Sequence, residues 1–340
     1  MTPSLLAGAA FAALLIADVL SETLCRFARR RGFLDRPGVR KAHARPTPYL
    51  GGVAIAAGTL VSGSALLPRW DRQIGIVIGA SIAVALVGLL DDVRSLNPAT
   101  RIVAEAVAAT AVVTSGARIA VFGNWLDPVL TVAWIVVLTN SFNLLDNMDG
   151  AAAMIAIASA CPAAAAAELA GRPGVALLLM TLSAGCLGFL VHNWAPARMF
   201  MGDSGSLFIG FLLSSSVLLI HAPGGPAERC AELFLFTFVA TVDTCLVVIA
   251  RPRAGLSFMT AGTDHLSHRL RHIGLSVRQV ALTLFVAAAL SSGCAVLVAI
   301  GRLPGIGASA ASALVAAAAI QCLLKVPVYR RAVLMNPPMA

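Results

Sequence analysis

Charge is the scarcest property of this sequence. Only 12% of its 340 residues are Asp, Glu, Lys or Arg and only 6% are aromatic, whereas about a quarter of an ordinary soluble domain is charged. That shortage excludes a soluble globular protein, since a chain that is 59% apolar with a mean hydropathy of +0.87 has too little polar surface to cover itself in water. The net charge is +9, but the basic residues stand between apolar runs and form no continuous stripe with interleaved aromatics. Nucleic acid is therefore not an expected partner. The cysteines (Cys25, Cys161, Cys186, Cys230, Cys245, Cys294 and Cys322) include no C-x-x-C pair. Scattered mostly through apolar stretches, they read as small buried hydrophobes, not as a metal site or a disulfide framework. No convincing internal repeat is present. Met1–Leu24 lacks the basic leader of a cleavable signal peptide and is expected to stay attached as the first helix.

What the chain has in abundance is long apolar runs. A membrane span takes about 20 mainly apolar residues, and eleven stretches qualify: Leu5–Leu24, Leu50–Leu67, Ile74–Leu90, Ile102–Phe122, Val129–Leu145, Ala151–Ala170, Val175–Val191, Leu207–Ile220, Leu233–Ile249, Val280–Ile300 and Ala308–Val326. The fold class is all-α: a polytopic integral membrane protein with about eleven spans, or ten if the short eighth run does not cross. One membrane domain covers 1–340, with connections on one side near 26–49, 91–101, 146–150, 192–206 and 251–279. Those connections and the C-terminal tail hold nineteen of the 25 Lys and Arg residues. The cytoplasmic side carries the basic excess, which puts these connections in the cytosol, the N-terminus outside and the C-terminus inside.

Acids separate structure from chemistry. Glu22, Asp35, Asp91, Asp92, Asp146, Asp149, Asp203, Asp243 and Asp264 fall on that same basic side. Those from Asp91 onward stand at or just beyond helix ends, so separate connections can bring them into one acidic site beside basic loops. Such a site suits a divalent cation with phosphates, the acids holding the metal and the bases the anion. The pair Asp91-Asp92 closes the third run as L-L-D-D-V-R, where acids at a helix C-terminus oppose the macrodipole and need a reason. N-S-F-N-L-L-D-N-M-D-G from Asn140 to Gly150 places amides and carboxylates at the end of an apolar helix, where desolvation penalises each one left unpaired. F-M-G-D-S-G-S from Phe200 to Ser206 is a way to present backbone N–H groups to an anion, with Asp203 free to hold a cation. D-H-L-S-H-R-L from Asp264 sets His265 and His268 near Arg253, Arg269 and Arg271 as a pyrophosphate clamp. Zinc is the competing reading of the histidines, but no cysteine or third histidine is suitably placed. In the first basic segment, K-A-H-A-R-P-T-P-Y-L-G-G, prolines fix the helix entry and glycines permit close helix contact. That leaves Lys41 and His43 as phosphate candidates. Asp18, Glu105, His192, His221 and His272 sit in no motif.

Together and in this order, from Asp35 to about Ser276, these elements resemble the polyprenyl-phosphate N-acetylhexosamine-1-phosphate transferases, glycosyltransferase family 4. The prolines and Tyr49-Leu50 are more similar to the undecaprenyl-phosphate GlcNAc-1-phosphate transferases than to the muramoyl-pentapeptide transferases, the alternative within the family. Two departures from the pattern stand out. The usual D-G-x-D-G has Asn147 for its first glycine, and the late H-x-H-H has Ser267 where histidine is common, so an added histidine at 267 is expected to be tolerated. The resemblance implies transfer of a sugar 1-phosphate from a UDP-N-acetylhexosamine to a polyprenyl phosphate with release of UMP. It also implies Mg²⁺ as cofactor, with Mn²⁺ able to replace it, a site facing the cytosol from the inner membrane, and a homodimer as one allowed assembly. Residue by residue it implies Asp203 as metal ligand, Phe200 as the ring on uracil, Asn143 and Asp146 in the nucleotide motif with Asp149, and Asp91 and Asp92 at the lipid phosphate. A phosphate monoester has its second pKa at about 6, so charge neutralisation and positioning matter more than a general base. The reading from a different class is a secondary transporter of an anionic solute, which would place its ionisable groups near the bilayer midplane in repeated halves.

Overall fold

The computed structural model describes residues 1–35, 46–67, 71–220, 225–257 and 262–329. Lys41, His43 and His221 lie outside them. The described residues form thirteen α-helices and one two-stranded antiparallel ribbon. In chain order these are α1 (Pro3–Arg31), β1 (Leu34–Asp35), β2 (Thr47–Pro48), α2 (Gly51–Ala65), α3 (Arg72–Val93), α4 (Pro98–Thr114) and α5 (Leu126–Leu145), then α6 (Ala151–Leu169), α7 (Pro173–Asn193) and α8 (Gly202–Val217), and finally α9 (Pro226–Phe236), α10 (Phe238–Arg253), α11 (Leu266–His272), α12 (Val277–Ala299) and α13 (Gly305–Leu324).

Each of the eleven apolar runs contains helix, but Ile102–Phe122 leaves it after Thr114 and not all of them become straight spans. Seven helices (α1, α3, α5, α6, α7, α12 and α13) are long and apolar enough to cross a bilayer alone, and the pair α9–α10 makes an eighth if counted as one span. The helices α2, α4 and α8, at 15, 17 and 16 residues, fall short of the ~20 residues of a full crossing. The run Leu233–Ile249 is broken at Thr237, where α9 and α10 meet at 80°. There the Thr237 hydroxyl donates to the Leu233 carbonyl at 2.7 Å, the kind of side-chain intrusion that bends helices.

The core is built around α6, α7 and α8, whose small and aliphatic residues are buried on nearly all sides, as expected of helices apolar all round. At the other extreme, α13 buries little beyond Gly305, Ala316 and Ile320. Close approach rests on glycine. A Cβ on Gly52 would lie 2.1 Å from the Gly205 nitrogen, and one on Gly88 would lie 2.5 Å from the Asp203 carbonyl. The two glycine motifs therefore seat α2 and α3 against the start of α8, with backbone bonds from Gly51 N–H to Phe200 O and from Gly52 N–H to Met201 O at 3.1 and 2.8 Å.

Candidate active site

The start of α8 sits among the ends of α3 and α5, and the sequence explains how each end is held. Gly202 has φ +74°, and a Cβ there would lie 2.7 Å from an Asp92 carboxylate oxygen. With no side chain in the way, Asp92 reaches across from the C-terminus of α3 and takes the N-terminal amides of α8: Asp203 N–H donates to Oδ1 at 2.8 Å and Ser204 N–H to Oδ2 at 3.0 Å. This resolves the acid at the wrong end of α3, since its charge serves the positive end of another helix. The anion at this helix N-terminus is thus Asp92 itself, where the sequence pattern suggested a ligand.

Below Asp92 lies a group that the sequence reading counted only as a loop charge. Arg101, at the start of α4, donates through Nη1 to Asp91 Oδ2 at 2.6 Å and Asp203 Oδ2 at 2.8 Å, and through Nη2 to Asn143 Oδ1 at 3.0 Å. Asn143 in turn donates to Asp203 Oδ1 at 2.7 Å and to Ser206 Oγ at 3.0 Å. One cation and one amide therefore organise two carboxylates from helices far apart in sequence. One turn deeper, Asn140 donates to the buried Glu105 and to the Val136 carbonyl. The only sequence signal for Arg101 is its place nine residues after Asp92.

A cavity of about 730 Å³ opens over this assembly. Asp35, Asp92, Asp146, Asp149 and Asp203 line it, together with Phe200, Tyr49, Asn147, His268, Arg271 and His272. Phe200 is placed by its backbone, its N–H donating to Pro48 O at 2.8 Å. Asp149 accepts from Ala197 N–H at 2.9 Å. Asp146 stands just past α5, and burial, followed by the charges of Asp203, Asp92 and Asp149, pushes its carboxyl well above the usual range. With Asp35, five carboxylates line the cavity against Arg271, and such a site attracts positive charge.

The loop carrying the two histidines is built differently. Arg251 binds Asp264 with both arms, at 2.9 and 3.0 Å, and the Tyr329 hydroxyl donates to the same carboxylate at 2.6 Å. Burial raises the Asp264 carboxyl, but these bonds outweigh it and hold the group below its usual value. Asp243 accepts from Leu266 N–H at 2.7 Å and bonds His265 Nδ1 at 2.8 Å. His265 is thus a buried anchor at the start of α11 and does not line the cavity.

Two arginines expected beside the phosphates also lie elsewhere. Arg269 is 1% exposed and donates to the carbonyls of Asp264, Leu323 and Val326, capping the end of α13. Arg253 is exposed and off the cavity wall. For Arg269 the reason is helical geometry: on α11, positions 268, 271 and 272 share one face, and 269 shares the other with 265, while Arg253 ends α10. His272, which stood in no motif, is on the cavity face. Asp91 and Asn143 lie one layer beneath the wall. His192, also outside any motif, bonds Asp18 at 2.7 Å between α7 and α1. The expected tolerance of histidine at 267 meets an obstacle, because Ser267 is buried and its hydroxyl is already bonded to Asn147.

Comparison with known proteins agrees with this arrangement. Residues 74–221, which hold the ends of α3, α5 and α8, match the model of glycosyl transferase family 4. A Streptomyces coelicolor protein described as a glycosyltransferase is 36% identical over 325 residues, 94% of this chain and 76% of that protein. A Bacillus subtilis protein named for undecaprenyl-phosphate N-acetylglucosaminyl 1-phosphate transfer is 31% identical, covering 80% of this chain and 79% of its own. The decaprenyl-phosphate N-acetylglucosaminephosphotransferase of Mycolicibacterium smegmatis is 31% identical, with 76% and 73% covered. With its motifs gathered at one cavity and relatives matched over most of their length, the chain belongs to glycosyl transferase family 4.

Proposed function

We propose that this protein transfers an N-acetylhexosamine 1-phosphate from a UDP-sugar to a polyprenyl phosphate, releasing UMP and leaving a polyprenyl-pyrophosphoryl sugar. The observation that carries this reading is one cavity at the helix ends lined by five carboxylates, Asp35, Asp92, Asp146, Asp149 and Asp203, together with His268, Arg271 and His272. Groups at the bilayer midplane would suit transport; groups at helix ends suit a water-soluble nucleotide sugar meeting a lipid phosphate. The names of the relatives make UDP-GlcNAc and undecaprenyl phosphate the first substrates to test. The excess of Lys and Arg on the connections that build the cavity favours a site facing the cytosol from the inner membrane, with the N-terminus outside.

The donor set suits Mg²⁺. It is all oxygen, and among the described residues no three His, Cys, Asp or Glu groups close into a cage of their own. Mg²⁺ is usually bound by one or two carboxylates plus substrate phosphates, a role for which Asp203 and Asp146 are suited. Bound there, the ion would neutralise phosphate charge as bonds rearrange.

The protein's own groups account for the rest. Phe200 offers a ring to the uracil. His268 and Arg271 face the pyrophosphate across the cavity. Arg101 holds Asp91, Asp203 and Asn143 in place and keeps the carboxylate wall from repelling itself. Asp92 is a poor general base because both its oxygens hold amides of α8, and a lipid phosphate already ionised near neutral pH has little proton to give. Catalysis is then mainly positioning and charge neutralisation. Purified protein supplied with UDP-GlcNAc, undecaprenyl phosphate and Mg²⁺ should release UMP. No UMP from any UDP-N-acetylhexosamine would overturn the reading.

A further inference from the structure

The two departures from the family pattern, Asn147 and Ser267, are 120 residues apart in sequence and touch in the structure. Ser267 Oγ donates to Asn147 Oδ1 at 2.5 Å, while Asn147 Nδ2 donates to the Leu144 carbonyl at the end of α5 at 2.5 Å. Both ends of the amide are therefore engaged, which sets its orientation. Ser267 is 1% exposed, and Asn147 lines the cavity that His268 also lines. The bonds of Leu266 and Arg269 run away from the cavity, to Asp243 and to carbonyls at the end of α13. The bond from Ser267 runs toward it, joining α11 to the acidic segment 146–150.

We propose that Asn147 and Ser267 are a matched pair that positions α11, and with it His268, over the cavity. Size makes the match. At 267 there is room for a hydroxyl because the neighbouring position carries an amide that accepts its proton. An imidazole at 267 would have to push that amide aside, and interiors resist added bulk. Removing the amide, as glycine at 147 does, opens the space the ring needs. The two positions are therefore tolerant of change together and intolerant of change at 267 alone. The kinetic part of this inference rests on the transferase reading; the structural part does not.

The test is a double-mutant cycle of wild type, Asn147→Gly, Ser267→His and the double variant, read by melting temperature in detergent and by kcat and KM for UDP-GlcNAc. Overpacking should make Ser267→His about thirtyfold worse in kcat/KM, mainly through donor KM with lipid KM unchanged, and should lower its melting temperature. The double variant should melt above Ser267→His and recover to within about threefold of Asn147→Gly. A Ser267→His protein with wild-type kinetics and melting, or a double variant whose losses are the product of the single ones, would overturn the pairing. Should Ser267→His fail to fold, the milder cycle of Asn147→Ala and Ser267→Ala decides: a double variant no worse than either single one supports the pair, and independent losses refute it. If wild type releases no UMP, the transferase reading fails while the melting cycle still decides whether the residues are coupled.

Discussion

Two groups of carboxylates gather near α11 in this molecule, and they have opposite fates. Asp243 and Asp264, behind α11, are fully matched: two guanidinium arms, a phenol, a backbone amide and an imidazole close on them. Asp92, Asp146, Asp149 and Asp203, in front of it, line a cavity together with Asp35, and Arg101 bonds Asp203. Sequence position does not distinguish the groups, and neither does residue type. The difference is the ratio of acids to cations: Arg251 serves Asp264 with both nitrogens, while in the larger cluster Arg101 reaches Asp203 and neutral amides bond Asp92, Asp149 and Asp203. A matched buried ion pair holds a loop in place, while a cluster with more acids than cations keeps a place for a ligand of opposite charge.

Substitutions can break that comparison, beginning with the largest effect. Asp203→Asn should lower UMP release by about a thousandfold or more with little change in melting temperature, because it removes charge from the acid-rich cluster without leaving a buried cation alone; Arg101 keeps Asp91. Substantial activity in this variant would take Asp203 out of the site. Arg251→Met should do the reverse, costing about 3 kcal/mol of stability by stranding Asp264 in a buried setting, and a melt that matched wild type would show the pair to be dispensable. His268→Ala should lose roughly tenfold in kcat/KM, the worth of one hydrogen bond to a charged group. Burial, aided by the charge of His265, pushes the pKa of His268 down to about 4. Its ring is therefore neutral from pH 6 upward, and the loss should be equal at pH 6 and pH 9. A loss that faded by pH 8 would mean imidazolium is the active form. Arg253→Ala, off the cavity wall, should change kcat/KM by less than about twofold; a tenfold fall would bring the residue back to the substrate.

Much of the site was legible in the chain because membrane burial makes polar residues conspicuous. Asn140, Asn143, Asp146 and Asp149 stand out in an apolar background where each unpaired group is costly. Arg101 was missed for the complementary reason. A basic residue in a short connection is what orientation alone predicts, so its second task left no mark. The sequence groups His265, His268, Arg253, Arg269 and Arg271 as one clamp because they share a connection, yet Arg253 ends α10 and α11 divides the others between two faces, with His268 and Arg271 at the cavity. Seven residues are too few to show an apolar period that would reveal which face is which.

By itself the sequence determined that the chain is a bundle of membrane helices, that its chemistry gathers at one set of helix ends, and where glycine must stand. Hydropathy, charge asymmetry and the missing Cβ act locally, within one helix or one connection. Tertiary structure decided which polar groups find partners: that Asp92 caps α8, that Arg101 joins Asp91 to Asp203, that Arg269 closes α13, and that Asn147 meets Ser267. Those outcomes depend on distances of a few ångströms between segments as much as 120 residues apart, and no local property of the chain encodes them.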